Sequence, residues 1–174
     1  MNPGPWYQHS KNVAEAAKLI TQKTQKYDPA IAYMLGLLHD IGRRNGRTHI
    51  KHVYDGYLYL KDKDSLASEI CLVHTFPNKL IEEYQGEMDL EENALKEISI
   101  KISTIEYNYY HWLIILCDGY GFIDGFISLE RRWIDAAIRL GINEHTIHKW
   151  KKMYEIRDRI NSKYGIDIEE ILNV

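Results

Sequence analysis

Six side chains of closely related chemistry interrupt the apolar stretches of this chain: His9, His39, Asp40, His74 and Asp118, with either His52 or His49 as the sixth. The segment GLLHDIGRR, positions 36–44, ends an apolar run in a histidine and a carboxylate, and LIILCD, positions 113–118, ends another in an aspartate. An ionised carboxylate withdrawn from water costs on the order of several kcal/mol unless it is paired. A buried imidazole must likewise satisfy both ring nitrogens. A divalent cation meets both demands, since imidazole nitrogen and carboxylate oxygen suit iron, manganese, zinc, cobalt and nickel. Neither Cys71 nor Cys117 stands at ligand spacing from another cysteine, so the expected centre is a transition-metal site with nitrogen and oxygen donors.

The donors lie far apart in sequence, so helices must carry them together. Consecutive helical residues point ~100° apart, and His39 and Asp40 can serve one cluster only beside a helix end, between neighbouring helices. A first helix beginning near Pro5 or Trp6 places His9 on the face of Val13, Ala16, Ala17 and Ile20. Asp28-Pro29 reads as an N-cap and first turn, and the uncharged segment 30–38 predicts a second helix buried on all sides. A third helix, about 50–60, sets Ile50, Val53, Tyr54 and Tyr57 on one arc, with His49, His52 and Gly56 adjoining. A fourth has Leu66, Ile70, Val73 and His74 in register and is closed by Phe76-Pro77. Positions 76–86 read as a surface loop bordering a substrate entrance. Helices follow over about 90–107, through the apolar run to Asp118, and over 128–140 and 143–164, with Gly119, Gly121 and Gly125 loosening the chain between. Strand-like alternation is scarce. The expectation is an all-α helical bundle, a single domain over 1–174 with its core at about 5–125 and a C-terminal helical extension that caps the core or makes a homodimer contact.

Composition narrows the function classes. With 174 residues the chain suits one domain burying roughly 70% of its unfolded surface. A formal charge of −3 offers no broad positive field, which argues against nucleic acid as a partner. The basic stretch GINEHTIHKWKKM superficially resembles a helix-turn-helix, but the overall acidity opposes that reading. The two cysteines, each in an apolar run, read as buried thiols in a reducing compartment. No apolar stretch approaches the ~20 residues of a membrane span, and MNPGPWYQHS lacks the pattern of a signal peptide, so the expected location is cytoplasmic with no membrane partner. His111, His145 and His148 read as surface or packing residues, Tyr107, Tyr109 and Tyr110 as core and interface, and Arg131-Arg132 first as a solvated pair, with a phosphate contact as the alternative if the chain folds back.

His9, the doublet His39-Asp40 and the distant Asp118, in that order, resemble the H…HD…D signature of the HD-domain metal-dependent phosphohydrolase superfamily, over roughly positions 5–125. HVYDG, an HxxxG headed by His52, and LVHT with His74 make the chain similar to a dinuclear branch of it. The resemblance implies two divalent ions, iron first and manganese, zinc, cobalt or nickel after it. His9, His39, Asp40 and Asp118 would hold one, and Asp40, His52 and His74 the other, with His49 as the alternative to His52. It implies hydrolysis of a small-molecule phosphoester, a nucleotide first, by metal-activated water, with Asp40 and Arg43 as catalytic groups. Arg43 stands where many members have the lysine of HDxxK and, with Arg44 and Lys51, would contact the phosphoryl oxygens. The superfamily also contains di-iron oxygenases, which use the same ligands, and a non-catalytic metabolite-binding protein is the remaining alternative.

Overall fold

The computed structural model describes residues 4–174; residues 1–3 of the N-terminal stretch read above for a signal lie outside them. The architecture is all-α. Helices α1 (Trp6–Thr24) and α2 (Pro29–Leu38) pack as an antiparallel pair, and a 3-10 turn (Ile41–Asn45) carries the chain from the HD doublet to α3 (Lys51–Leu60). Helices α4 (Ser65–Val73), α5 (Glu92–Thr104) and α6 (Tyr109–Tyr120) follow. A two-stranded hairpin, β1 (Gly121–Phe122) and β2 (Gly125–Phe126), then leads to α7 (Leu129–Leu140), α8 (Thr146–Tyr164) and α9 (Ile168–Leu172).

Local chemistry accounts for the boundaries. Asp28 caps α2 by accepting the N–H of Ala30, with Pro29 in the first turn, and Asp64 caps α4 by accepting the N–H of Ala67. Helix α6 is the one enclosed on nearly every side: Leu113, Ile114, Ile115, Leu116 and Cys117 are all buried. The expectation that α2 is buried all round does not hold. Its contacts with α1, α4 and α6 cover one side, while Ile31 and Met34, 38% and 37% exposed, face outward.

Two apolar clusters result. The larger joins α1, α2, α4 and α6 to Met153, Ile156 and Ile160 of α8 and to Ile168 and Leu172 of α9, so the C-terminal helices belong to the core. The smaller gathers Ile50, Val53, Leu72, Val73, Phe76, Ile98 and Ile102 between α3, α4 and α5. Phe76 thus anchors the segment expected to be a surface loop bordering a substrate entrance. That segment also folds around buried Glu83, which accepts from the N–H groups of Asn78 and Leu80 and from the Asn78 side chain.

Close backbone approaches hold the elements that carry the HD doublet. A Cβ on Gly42 would lie 2.0 Å from the His52 carbonyl oxygen and 2.7 Å from the Gly56 nitrogen, so the turn after Asp40 rests directly on α3. Gly121, expected to loosen the chain, instead lets the hairpin close on α1, where a Cβ would meet Val13 Cγ2 at 2.5 Å. Asn12 completes that junction by donating to the carbonyls of Phe122 and Ile123. Among the described residues no helix is long and apolar enough to cross a membrane.

Gly42→Ala should therefore lower stability by about 2–3 kcal/mol or more, through overpacking against backbone that cannot turn aside. Gly56→Ala, whose nearest neighbour would be the Cys71 side chain at 3.0 Å, should cost less. Urea midpoints of the two variants test the ranking; a Gly42→Ala protein as stable as wild type would show that the turn does not depend on this contact.

Candidate metal centre

Five elements deliver the six donors to one place. His9 comes from α1, His39 and Asp40 from the end of α2, His52 from the first turn of α3, His74 from the end of α4 and Asp118 from α6. All the histidine and Asp40 side chains are buried, and Asp118 is partly so. His9 Nε2 lies 2.9 Å from Asp118 Oδ1, and His39 Nε2 lies 3.7 Å from the same oxygen and 4.0 Å from Asp40 Oδ2. On the other side of Asp40, Oδ1 is 3.2 Å from His52 Nε2 and 3.7 Å from His74 Nε2, and these two nitrogens are 3.4 Å apart. His9, His39 and Asp118 form one group with metal-binding spacing and His39, Asp40 and His74 another.

The outer nitrogens determine what the inner ones can do. His39 Nδ1 donates to the Gly36 carbonyl, His74 Nδ1 to that of Cys71, His52 Nδ1 to that of His49 and His9 Nδ1 to that of Gly121. A carbonyl can only accept, so each Nδ1 carries a proton, and in the neutral ring each Nε2 then presents a lone pair. Lone pairs from four imidazoles therefore face two carboxylates. His39 Nε2 and Asp40 Oδ1 have no hydrogen-bond partner although both are buried. A cluster of acceptors directed at one another calls for positive charge in its midst, and the donor set fits divalent transition metal.

Electrostatics agree. Burial alone would raise Asp40, but Arg43 and the rings of His52, His39 and His74 hold its carboxyl far below the usual carboxylate range. Asp118 is lowered in the same way, with His39 and His9 outweighing burial. Burial pushes His52 down to about 3 and His74 to about 4, so both rings stay neutral and ready to coordinate in mild acid. His39 is raised: burial opposes the charged ring, but Asp118 and Asp40 outweigh it.

The centre opens into a cavity of about 610 Å³. Arg43 stands at its edge, where Nε donates to Asp40 Oδ2 at 2.7 Å, one terminal nitrogen to the Thr48 carbonyl at 3.1 Å and the other to His52 Nε2 at 3.3 Å. The other expected substrate contacts lie elsewhere. The guanidinium of Arg44 sits 3.3 Å above the Tyr59 ring, drawn to its face. Lys51 is exposed at the start of α3, where its backbone N–H donates to Asp89. The ring of His49 packs beside Gly86, and only its carbonyl serves the centre, through His52.

The cavity wall also contains residues that the sequence reading set aside or missed. Arg132, expected to be solvated with Arg131, lines it with a nitrogen 4.0 Å from Asp118 Oδ1. Lys149 and Tyr84 line it too. The sole signal for Lys149 was a basic residue one helical turn after the N-terminus of α8, which carries no address. His111, by contrast, is a packing residue, buried with Nε2 at 3.3 Å from Glu69.

A family model described as HD domain matches residues 6–100. No curated protein and no solved structure gives a match. The matched span contains His9, His39, Asp40, His52 and His74 and stops short of Asp118, whose membership of the centre rests on its distance from His9.

The neutral buried rings make acid stability a test. His52, His74 and His111, the last lowered to about 4 by burial and Lys79, have folded values below 6.5. Below pH 6.5 the unfolded chain gains protons there that the folded chain does not, so the stability these rings contribute is present above that pH and lost as pH falls towards 4. Each is worth about 2 kcal/mol between pH 8 and pH 5. His39, and the raised carboxyls of Glu69 and Glu83, act in the opposite sense. Metal-free protein should therefore lose stability over that interval, by less than the three rings together would contribute, read from urea midpoints in chelator. Equal midpoints would mean the rings are not held neutral.

Proposed function

The chain belongs to the HD-domain family of metal-dependent phosphohydrolases, and from that premise we propose that it hydrolyses a phosphoester of a small organic molecule, a nucleotide first among candidates, with two divalent transition-metal ions. The observation that carries this reading is the convergence of four imidazole lone pairs on two carboxylates, Asp40 buried and Asp118 partly so, with Asp40 facing both halves of the cluster. His9, His39, Asp40 and Asp118 hold one ion, and Asp40, His52 and His74 the other. Iron is expected first, although manganese, zinc, cobalt and nickel suit the same donors.

Bound there, the ions supply Lewis acidity to phosphoryl oxygens and lower the pKa of water for in-line attack. The chain's own contribution is placement and charge. Asp40 and Asp118 remain ionised, and the backbone-tethered rings cannot swing their Nε2 atoms away from the centre. Arg43, fixed by Asp40 and Thr48, keeps a planar cation at the cavity edge for developing negative charge on a phosphoryl group. A thiolate route has no support: burial pushes Cys71 and Cys117 upward and leaves both thiols protonated.

Anaerobically purified protein should contain two equivalents of transition metal and release phosphate in a screen of nucleotides and sugar phosphates. Asp40→Ala should lose both the metal and the release, whereas His52→Ala or His74→Ala should retain one equivalent. Arg43→Ala should cost on the order of 10²–10³ in kcat/KM, with Arg43→Lys between it and wild type. Two irons with oxygen uptake and no phosphate release would replace this reading with the oxygenase one. Metabolite binding without turnover of either kind would make the protein a binding module.

A further inference from the structure

The HD-domain match ends at residue 100, yet three of the cavity's cations come from helices far beyond it: Arg132, Lys149 and Arg139, the last paired with Asp135 at 2.7 Å. Arg132 on α7 has Nη2 4.0 Å from Asp118 Oδ1, Nη1 3.9 Å from Asp135 Oδ2 and its guanidinium 5.8 Å from the centre of the Phe122 ring. Lys149 on α8 donates from Nζ to Thr75 Oγ1 at 3.1 Å, which ties it to the residue directly after His74. Arg132 thus flanks the Asp118 side of the donor cluster and Lys149 the His74 side, with Arg43 at Asp40.

Charge makes this arrangement informative. Asp40 and Asp118 together carry two negative charges, and even one divalent ion balances them. The acids facing Lys149 are Glu83 and Asp118, and Glu83 already receives three hydrogen bonds from Asn78 and Leu80. Arg132 and Lys149 repel each other across the cavity. Cations gathered beside a metal centre favour an anion between them, and an ammonium that has used one of its three donors on Thr75 has others to offer. Trp133, stacked on Trp150 with ring centres 5.3 Å apart, gives the same cavity an aromatic wall for an organic group.

We infer that Arg132 and Lys149 form a second anion subsite beside the metal centre, and that the ligand is an organic phosphoester bearing a further phosphate in addition to the one at the metals. The assignment of the first phosphate rests on the phosphohydrolase reading; the second subsite is defined by Arg132, Lys149 and Thr75. A substrate with one phosphate engages the centre alone, whereas one with two also engages Arg132 and Lys149 beside it.

The test uses two ligands whose carbon–phosphorus bonds resist phosphatases: methylenediphosphonate, with two phosphoryl groups, and methylphosphonate, with one. Isothermal titration on metal-loaded protein should show a preference for the diphosphonate. Lys149→Met, which keeps the side-chain length, and Arg132→Gln, on a different helix, should each weaken the diphosphonate at least tenfold and methylphosphonate less than threefold, at wild-type metal content. Equal weakening of both ligands, or of neither, overturns the subsite. Lost preference in the variants without hydrolysis of any phosphoester would retain the subsite and remove the hydrolase reading. Phosphate release from esters with a diphosphonate preference unchanged by either variant would do the reverse.

Discussion

Placing four imidazoles and two carboxylates in one buried cluster is costly, and the protein meets that cost in a particular way. Each ring donates its Nδ1 proton outward to a main-chain carbonyl, which turns its Nε2 inward as an acceptor. Were the rings reversed, their N–H groups could donate to Asp40 and Asp118 and the cluster would satisfy its own hydrogen bonds. As built, the acceptors oppose one another, and His39 Nε2 and Asp40 Oδ1 are left without donors. The fold thus accepts a locally unfavourable arrangement that only positive charge relieves, which is the physical basis for a metal centre here.

Helix ends make the arrangement possible. His39 and His74 stand just after the last turns of α2 and α4, where carbonyls lack intrahelical partners, and each ring takes the carbonyl three residues before it. His52 makes the same three-residue link at the opposite end of α3. His9 differs: its partner, the Gly121 carbonyl, belongs to the hairpin after α6, so α1 and α6 must be docked before this ring is oriented. The short approach of Gly121 to Val13 and the two hydrogen bonds from Asn12 secure that docking. Residues without any metal-ligating group therefore govern the orientation of one that has it.

Much of this was legible from spacing and residue type. Asp28-Pro29, the apolar stripe of α1 and the apolar-run-then-aspartate pattern at Asp118 are local signals, and they locate the elements well. The choice of His52 over His49 is set by the first turn of α3, which directs one ring inward and the other towards Gly86. The basic residues were harder to place because a long cationic side chain is directed by its tertiary neighbours. Tyr59 draws Arg44 away, exposure leaves Lys51 in solvent, and only the return of α7 and α8 across the molecule brings Arg132 and Lys149 to the cavity. Gly119 and Gly121, expected to loosen the chain, are close-packed instead, against Leu129 and Val13, whereas Gly125 stands in open space at φ +132°. Flexibility and close packing call for the same residue, and only the neighbour decides between them.

Arg43 shows why a guanidinium rather than an ammonium suits this centre. Its three nitrogens reach Asp40 Oδ2, the Thr48 carbonyl and His52 Nε2 at once, linking the HD doublet to the loop before α3 and to a proposed metal ligand. A lysine in the same position would offer a point charge on a flexible stem and could not span three acceptors in one plane. The Thr48 bond does not involve any metal donor. That bond alone would retain the guanidinium at the cavity edge, so the cation that steadies Asp40 is held within reach of an anion bound at the cluster.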